Sequence, residues 1–73
     1  MAALGPSQDE TVTAVLVARA GDVDPGVRYR SAWSLARRAS PTARAALDRL
    51  TTDTDAEVRD AALKALDLRT RSP

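Results

Sequence analysis

Arg30, Trp33 and Arg37 are spaced i, i+3 and i+7, so a helix would carry all three on one stripe. A large aromatic ring between two guanidiniums is the composition of a protein-interface hot spot. Tyr29 stands one helical turn from Trp33. The same residues also suit a plainer role, in which Trp33 covers a neighbouring helix and Arg37 stacks on it. The residues alone leave both open.

Catalytic chemistry finds little support. The chain has neither histidine nor cysteine. That removes the commonest general base, the commonest metal ligand, the thiol nucleophile and any disulfide. Ser7, Ser31, Ser34, Ser40 and the threonines are weak nucleophiles with no imidazole to activate them. Lys64, the single lysine, is expected on an exposed flank where its pKa is not lowered. A carboxylate pair such as Asp53 and Asp55 has the oxygens to hold a hard cation, but the acids sit mostly at helix starts, where capping and the helix dipole account for them. The chain is read as non-enzymatic, with no cofactor and no metal.

Between Asp24 and Asp48 lie Arg28, Arg30, Arg37, Arg38 and Arg44 and no acid. Such a run could track phosphates, though nothing in it would read bases. Asp48, Asp53, Asp55, Glu57, Asp60 and Asp67 follow and oppose it, and a charge run on a helix is usually a solvated face. Eleven basic against ten acidic residues leave a net charge of +1, which is no polyanion-binding signature.

The elements that must hold these groups emerge from a repeat. Shifted by 31, residues 9–39 lie over 40–70 without a gap, and nine pairs are identical, among them Leu16/Leu47, Asp22/Asp53, Asp24/Asp55, Val27/Val58, Arg28/Arg59 and Leu35/Leu66. The densest block, Asp-x-Asp-x-x-Val-Arg, runs from Asp22 to Arg28 and again from Asp53 to Arg59. A period of this size with helical patterning means a solenoid unit.

Each unit reads as two helices, expected at residues 8–20, 24–38, 41–51 and 55–69. Ser7 and Glu10 form a capping box before the first. Its core stripe is Val12, Val15, Leu16 and Arg19, and it should end near Gly21. Asp24 caps the second, with Pro25 at its first position, and Val27, Ser31, Ser34 and Leu35 point inward. Ser40 and Pro41 repeat that start signal, followed by Ala43, Ala46, Leu47 and Leu50. Asp55 caps the fourth, Glu57 suits its dipole, and Val58, Ala62, Ala65 and Leu66 line it. The last helix should fray near Thr70, leaving Ser72 and Pro73 as tail. No alternating β-branched run signals a strand, and 3% aromatic content suits neither a sandwich nor a barrel. At 44% hydrophobic and 29% charged, the chain is no disordered segment.

The block Asp22 to Leu35 resembles the second helix of a HEAT repeat, and Asp53 to Leu66 resembles it more cleanly. The closer likeness is to the short HEAT-like repeats first noted in phycobilisome lyases. The resemblance implies an all-α superhelix, an α-solenoid of four helices in two stacked hairpins, with the second helices on the concave face. It implies that Asp22, Asp24 and Arg28, with Asp53, Asp55 and Arg59, form a structural ladder linking neighbouring turns by charge-assisted hydrogen bonds. It also puts Trp33 beside Lys64 on the family's binding surface, so Tyr29, Arg30, Trp33, Arg37 and Lys64 become the candidate binding flank. A bilin lyase pocket would need more than two repeats. Some HEAT-like solenoids bind DNA on an Arg- and Lys-lined face, which keeps nucleic acid as the alternative ligand.

The expectation is therefore one two-repeat unit over residues 1–73 that binds another protein or a second copy of itself. About three repeats are usual for a continuous core, and small scaffolds without staples are marginal. Val17 and Leu63 lie off their helices' core stripes and are the candidate interface residues. The alternative is a terminal piece of a larger HEAT-like protein; the initial methionine favours a complete one. No apolar run approaches the roughly 18 residues of a membrane span and no leader is visible, which makes the cytoplasm the default compartment. Arginine over lysine and abundant alanine suggest a GC-rich bacterial genome, unless arginine serves bidentate pairing.

Overall fold

The computed structural model describes residues 4–38 and 40–71, which form four α-helices and, among the described residues, no strand: α1 (Leu4–Arg19), α2 (Pro25–Leu35), α3 (Pro41–Leu50) and α4 (Ala56–Arg71). None of them is long and apolar enough to cross a membrane. The tail expected at Ser72 and Pro73 lies outside the described residues.

Helix starts follow their local chemistry. Asp24, in extended conformation, accepts a hydrogen bond from the Gly26 N–H, and Pro25 opens α2 at a position whose missing donor costs nothing. Ser40 caps α3 likewise, its hydroxyl accepting from Thr42 and Ala43, with Pro41 next. Asp55 accepts from Glu57 and Val58 at the head of α4. α1 differs from the expectation. It begins at Leu4, so Ser7 lies within it and is not its cap. Pro6 does not prevent this, since N–H groups of a first turn have no intrahelical acceptor. α2 is shorter than expected, ending at Leu35. Ala36 and Arg37 form a turn in which the Arg37 N–H reaches the Ser34 carbonyl at 3.2 Å. Ser40 precedes a proline and is thereby biased to extended backbone, so the chain leaves the helix and reverses within a few residues. At the end of α1, Gly21 is not in the left-handed region; no described glycine is.

α1 packs on α2 and α3 on α4 as hairpins; α2 lies against α4 and α1 against α3, giving two layers. The shortest Cα dimension, 15 Å, is that of two helix layers and no more. Among the described residues, seven of the eleven buried apolar ones are alanines, and Leu35, Leu47 and Val58 are the largest fully buried side chains. Alanine brings helix axes close, which is how so short a chain builds a core with no phenylalanine. Ser31 is also buried and donates to the Val27 carbonyl at 2.8 Å.

The core stripes of α3 and α4 are as expected for Ala43, Ala46, Leu47, Leu50, Val58, Ala62 and Ala65. Those of the first hairpin hold only in part: Ser31 and Leu35 are buried and Val27 is half-buried. Val12, Val15, Arg19 and Ser34 are exposed, while Thr13, Ala20 and Ala32 are buried and Leu16 and Val17 pack half-buried against the core. The physical reason lies in the stacking. Val12 and Val15 correspond to Ala43 and Ala46, which are 0% and 5% exposed. Each pair has the same place within its own hairpin, so the added burial of the second repeat's residues comes from the first repeat. The first repeat has no such neighbour on that side.

Candidate functional site

The Asp and Arg residues meet where the two hairpins join. Asp22 Oδ1 accepts the Asp24 N–H at 2.8 Å, and Asp53 Oδ2 accepts the Asp55 N–H at 2.9 Å. These equivalent turns fix one carboxylate per repeat. Arg28 reaches from the first turn of α2 to both turns, but to one carboxylate: Nη1 donates to the backbone carbonyls of Asp22 and Val23 at 2.8 and 3.0 Å, while Nε and Nη2 fork onto Asp53 Oδ1 and Oδ2 at 2.9 and 3.0 Å. The fork crosses from repeat to repeat, and its side chains are only 14% and 11% exposed. Planar bidentate pairing of this kind is specific to arginine. Burial raises the Asp53 pKa, but the Arg28 fork, the Asp55 N–H and the charges of Arg28 and Arg59 outweigh it and hold the carboxyl below its ordinary value.

Arg59 copies the local half of this arrangement, with Nη1 donating to the carbonyls of Asp53 and Thr54 at 2.8 and 3.3 Å. Asp24 and Asp55 cap helices and do not cross the junction. The carboxylates that sequence offered as cation ligands thus have protein donors, and among the described residues no group of three or more potential ligands could hold a metal.

The aromatic flank is assembled in part. Tyr29 and Trp33 form an edge-to-face pair on α2, ring centroids 6.4 Å apart and planes at 77°. Trp33 packs partly against the core while Tyr29 is 40% exposed. One repeat on, the same two positions hold Asp60 and Lys64, which form an exposed ion pair at 3.0 Å. The outward stripe of the α2/α4 layer is therefore an aromatic pair followed by a charge pair. Arg30 is exposed beside it. Its counterpart Ala61, expected on the flank, is 1% exposed and part of the core.

Arg37 stands exposed in the turn that follows the end of α2 at Leu35. It lines a shallow pocket of 290 Å³ with Val12, Leu16, Ser34 and Arg38. Sequence does not signal this pocket, because helical spacing puts Val12 and Ser34 on the core stripes. Of the interface candidates, Leu63 is 56% exposed, whereas Val17 packs on the core of its own chain. Among the described side chains of α1, the exposed large apolar residues are Val12 and Val15. Of the arginine run, Arg28 is committed to the junction, and Arg30 and Arg44 stand exposed on different layers.

Comparison with protein-family models finds one that matches, described as HEAT repeats, over residues 1–67. Neither the curated proteins nor the solved structures yield a match to the chain.

Proposed function

The chain belongs to the HEAT repeat family, and we propose that it is a non-enzymatic interaction module, one two-repeat unit of residues 9–39 and 40–70, that binds a protein partner through the outward face of α2 and α4. HEAT repeats commonly serve as protein-interaction modules and are generally not enzymes. The observation that carries the reading here is the Tyr29–Trp33 pair. A tryptophan anchored on the core presents a rigid ring at little entropic cost, and Tyr29 extends the apolar area beside it. Arg30 and the Asp60–Lys64 pair supply a polar rim, and Arg37 contributes from the neighbouring turn.

The test takes a partner captured on the intact chain, identified by mass spectrometry and reconstituted from purified components. Trp33→Ala should weaken that complex at least tenfold, with helical content unchanged and only modest sensitivity to salt. Binding that Trp33→Ala and Tyr29→Ala leave intact would overturn the reading. So would tight binding of duplex DNA or RNA whose affinity falls steeply with salt and drops further with each of Arg30→Ala, Arg37→Ala and Arg44→Ala.

A further inference from the structure

We propose that the chain associates with itself head to tail, the second repeat of one copy docking on the first repeat of the next through a second edition of the Arg28–Asp53 junction, made by Arg59 and Asp22. The chain carries both halves of this junction. Arg59 is anchored through Nη1 on two carbonyls, as Arg28 is. Its Nε and Nη2, the atoms with which Arg28 grips Asp53, make no hydrogen bond among the described residues. At the other end Asp22 is held by the Asp24 N–H just as Asp53 is by the Asp55 N–H. It faces no guanidinium fork among the described residues, and it is exposed where Asp53 is nearly covered. The donor half and the acceptor half lie at opposite ends of the two-repeat stack, each on the side that the other repeat does not cover.

Apolar side chains stand open at the same two ends. Ala32, on the side of the first repeat that meets the second, is 0% exposed, whereas its counterpart Leu63 is 56% exposed. On the opposite side, Ala43 and Ala46 are buried by the first repeat, whereas Val12 and Val15 are 42% and 44% exposed. A second copy seated in the 31-residue register covers Leu63 of one chain with the Val12 and Val15 end of the next, and closes Arg59 on Asp22. A second copy of this chain supplies both complementary surfaces. The contact is heterologous, so it propagates into a series or closes as a ring. It covers Arg30, whose counterpart Ala61 is 1% exposed, but does not use the Tyr29–Trp33 pair, so the aromatic contact and the end-to-end contact can each fail without the other.

The purified full chain, followed by sedimentation velocity over a range of concentrations, should show species above the monomer that grow with concentration. Asp22→Arg and Arg59→Asp should each remove them, since like charges then meet at every junction. An equimolar mixture of these two variants should associate again, because Arg59 of the first still meets Asp22 of the second. Leu63→Asp, at an exposed position that spares the fold, should also yield monomer. Circular dichroism of each variant shows whether helices are retained; where Arg59→Asp unfolds, Leu63→Asp and Asp22→Arg carry the test. A wild-type chain that stays monomeric at its highest soluble concentration overturns the proposal. So does association indifferent to Leu63→Asp and Asp22→Arg.

Discussion

Truncating Arg28 to alanine removes four hydrogen bonds at once, two to the Asp53 carboxylate and two to the carbonyls of Asp22 and Val23. Their weights differ. The two carbonyls are in exposed surroundings, where water replaces the lost donor. Asp53 is the costly partner. An exposed ion pair contributes about 0–1 kcal/mol, while removing one member of a fully buried pair costs about 3–5 kcal/mol. With side chains 14% and 11% exposed, this pair stands nearer the buried limit, though Asp53 would keep its bond from the Asp55 N–H. Arg28→Ala should therefore destabilise by about 2–3 kcal/mol. Arg59→Ala loses only bonds from one nitrogen to the Asp53 and Thr54 carbonyls and should cost about 1 kcal/mol. A chain of 73 residues has a total stability on the order of 4–11 kcal/mol, so the first loss is a large fraction of the whole and should lower Tm by about 4–8 °C per kcal/mol. Urea denaturation followed by circular dichroism, at one fixed low concentration so that association does not intrude, gives each value. Adding Asp53→Ala and the double variant closes a cycle whose coupling energy should be about 1.5–2 kcal/mol. A coupling below about 0.5 kcal/mol, or equal costs at Arg28 and Arg59, would refute the assignment of the inter-repeat link to the fork.

The same carboxylate makes stability depend on acid. Its folded pKa is depressed, so the unfolded chain, with an ordinary aspartate near 3.9, takes up the proton first; the contribution is intact above about pH 5 and is lost as pH falls through the folded value. Urea midpoints between about pH 5 and 3 should drop further for wild type than for Asp53→Asn, and parallel curves would show that Asp53 is not the group responsible. Leu47→Ala, at a position 0% exposed, should cost about 2–5 kcal/mol, whereas Val12→Ala in dilute solution should stay within about 0.5 kcal/mol; a comparable cost at Val12 would mean that α1 packs in the register expected from sequence. Gly21→Ala should stabilise by about 0.4–1 kcal/mol, because the added Cβ meets nothing closer than the Ala18 carbonyl at 3.6 Å and φ is not positive there; a thermal midpoint lowered by the substitution would contradict this.

The second hairpin was legible nearly side chain by side chain; in the first, Ser31 and Leu35 of α2 were, and Val12 and Val15 of α1 were not. Asp24-Pro25 and Ser40-Pro41 mark helix starts whose chemistry is local, so tertiary context had no chance to override them. Ser7 carried an equally good local signal. There the helix runs back to Leu4, because a capping box states a preference of about 0.5–2 kcal/mol and does not forbid another turn. On the candidate site, Tyr29 and Trp33 were found from spacing alone, since both lie within one regular helix. Arg37, two residues beyond the end of α2, lies in the turn and not in the helix from which its spacing was read.

The misplaced stripe of α1 has a different origin. A repeat position is buried by three neighbours: its hairpin partner, the unit before and the unit after. Superposing the repeats averages over all three and returns the stripe of an interior unit. With two repeats neither unit is interior, so each position loses whichever neighbour is absent. Val12 and Val15 lose the preceding unit and Leu63 the following one, while Val17, opposite in sense to Val12, keeps its cover. Sequence therefore specifies the surface of a longer stack than these two repeats form. The charged residues follow the same rule: two arginines and two aspartates are set in the register of a ladder that closes only once within the chain, at Arg28 and Asp53. Asp22 and Arg59 keep the half of their bonding that is local, which holds each in the geometry its absent partner would require.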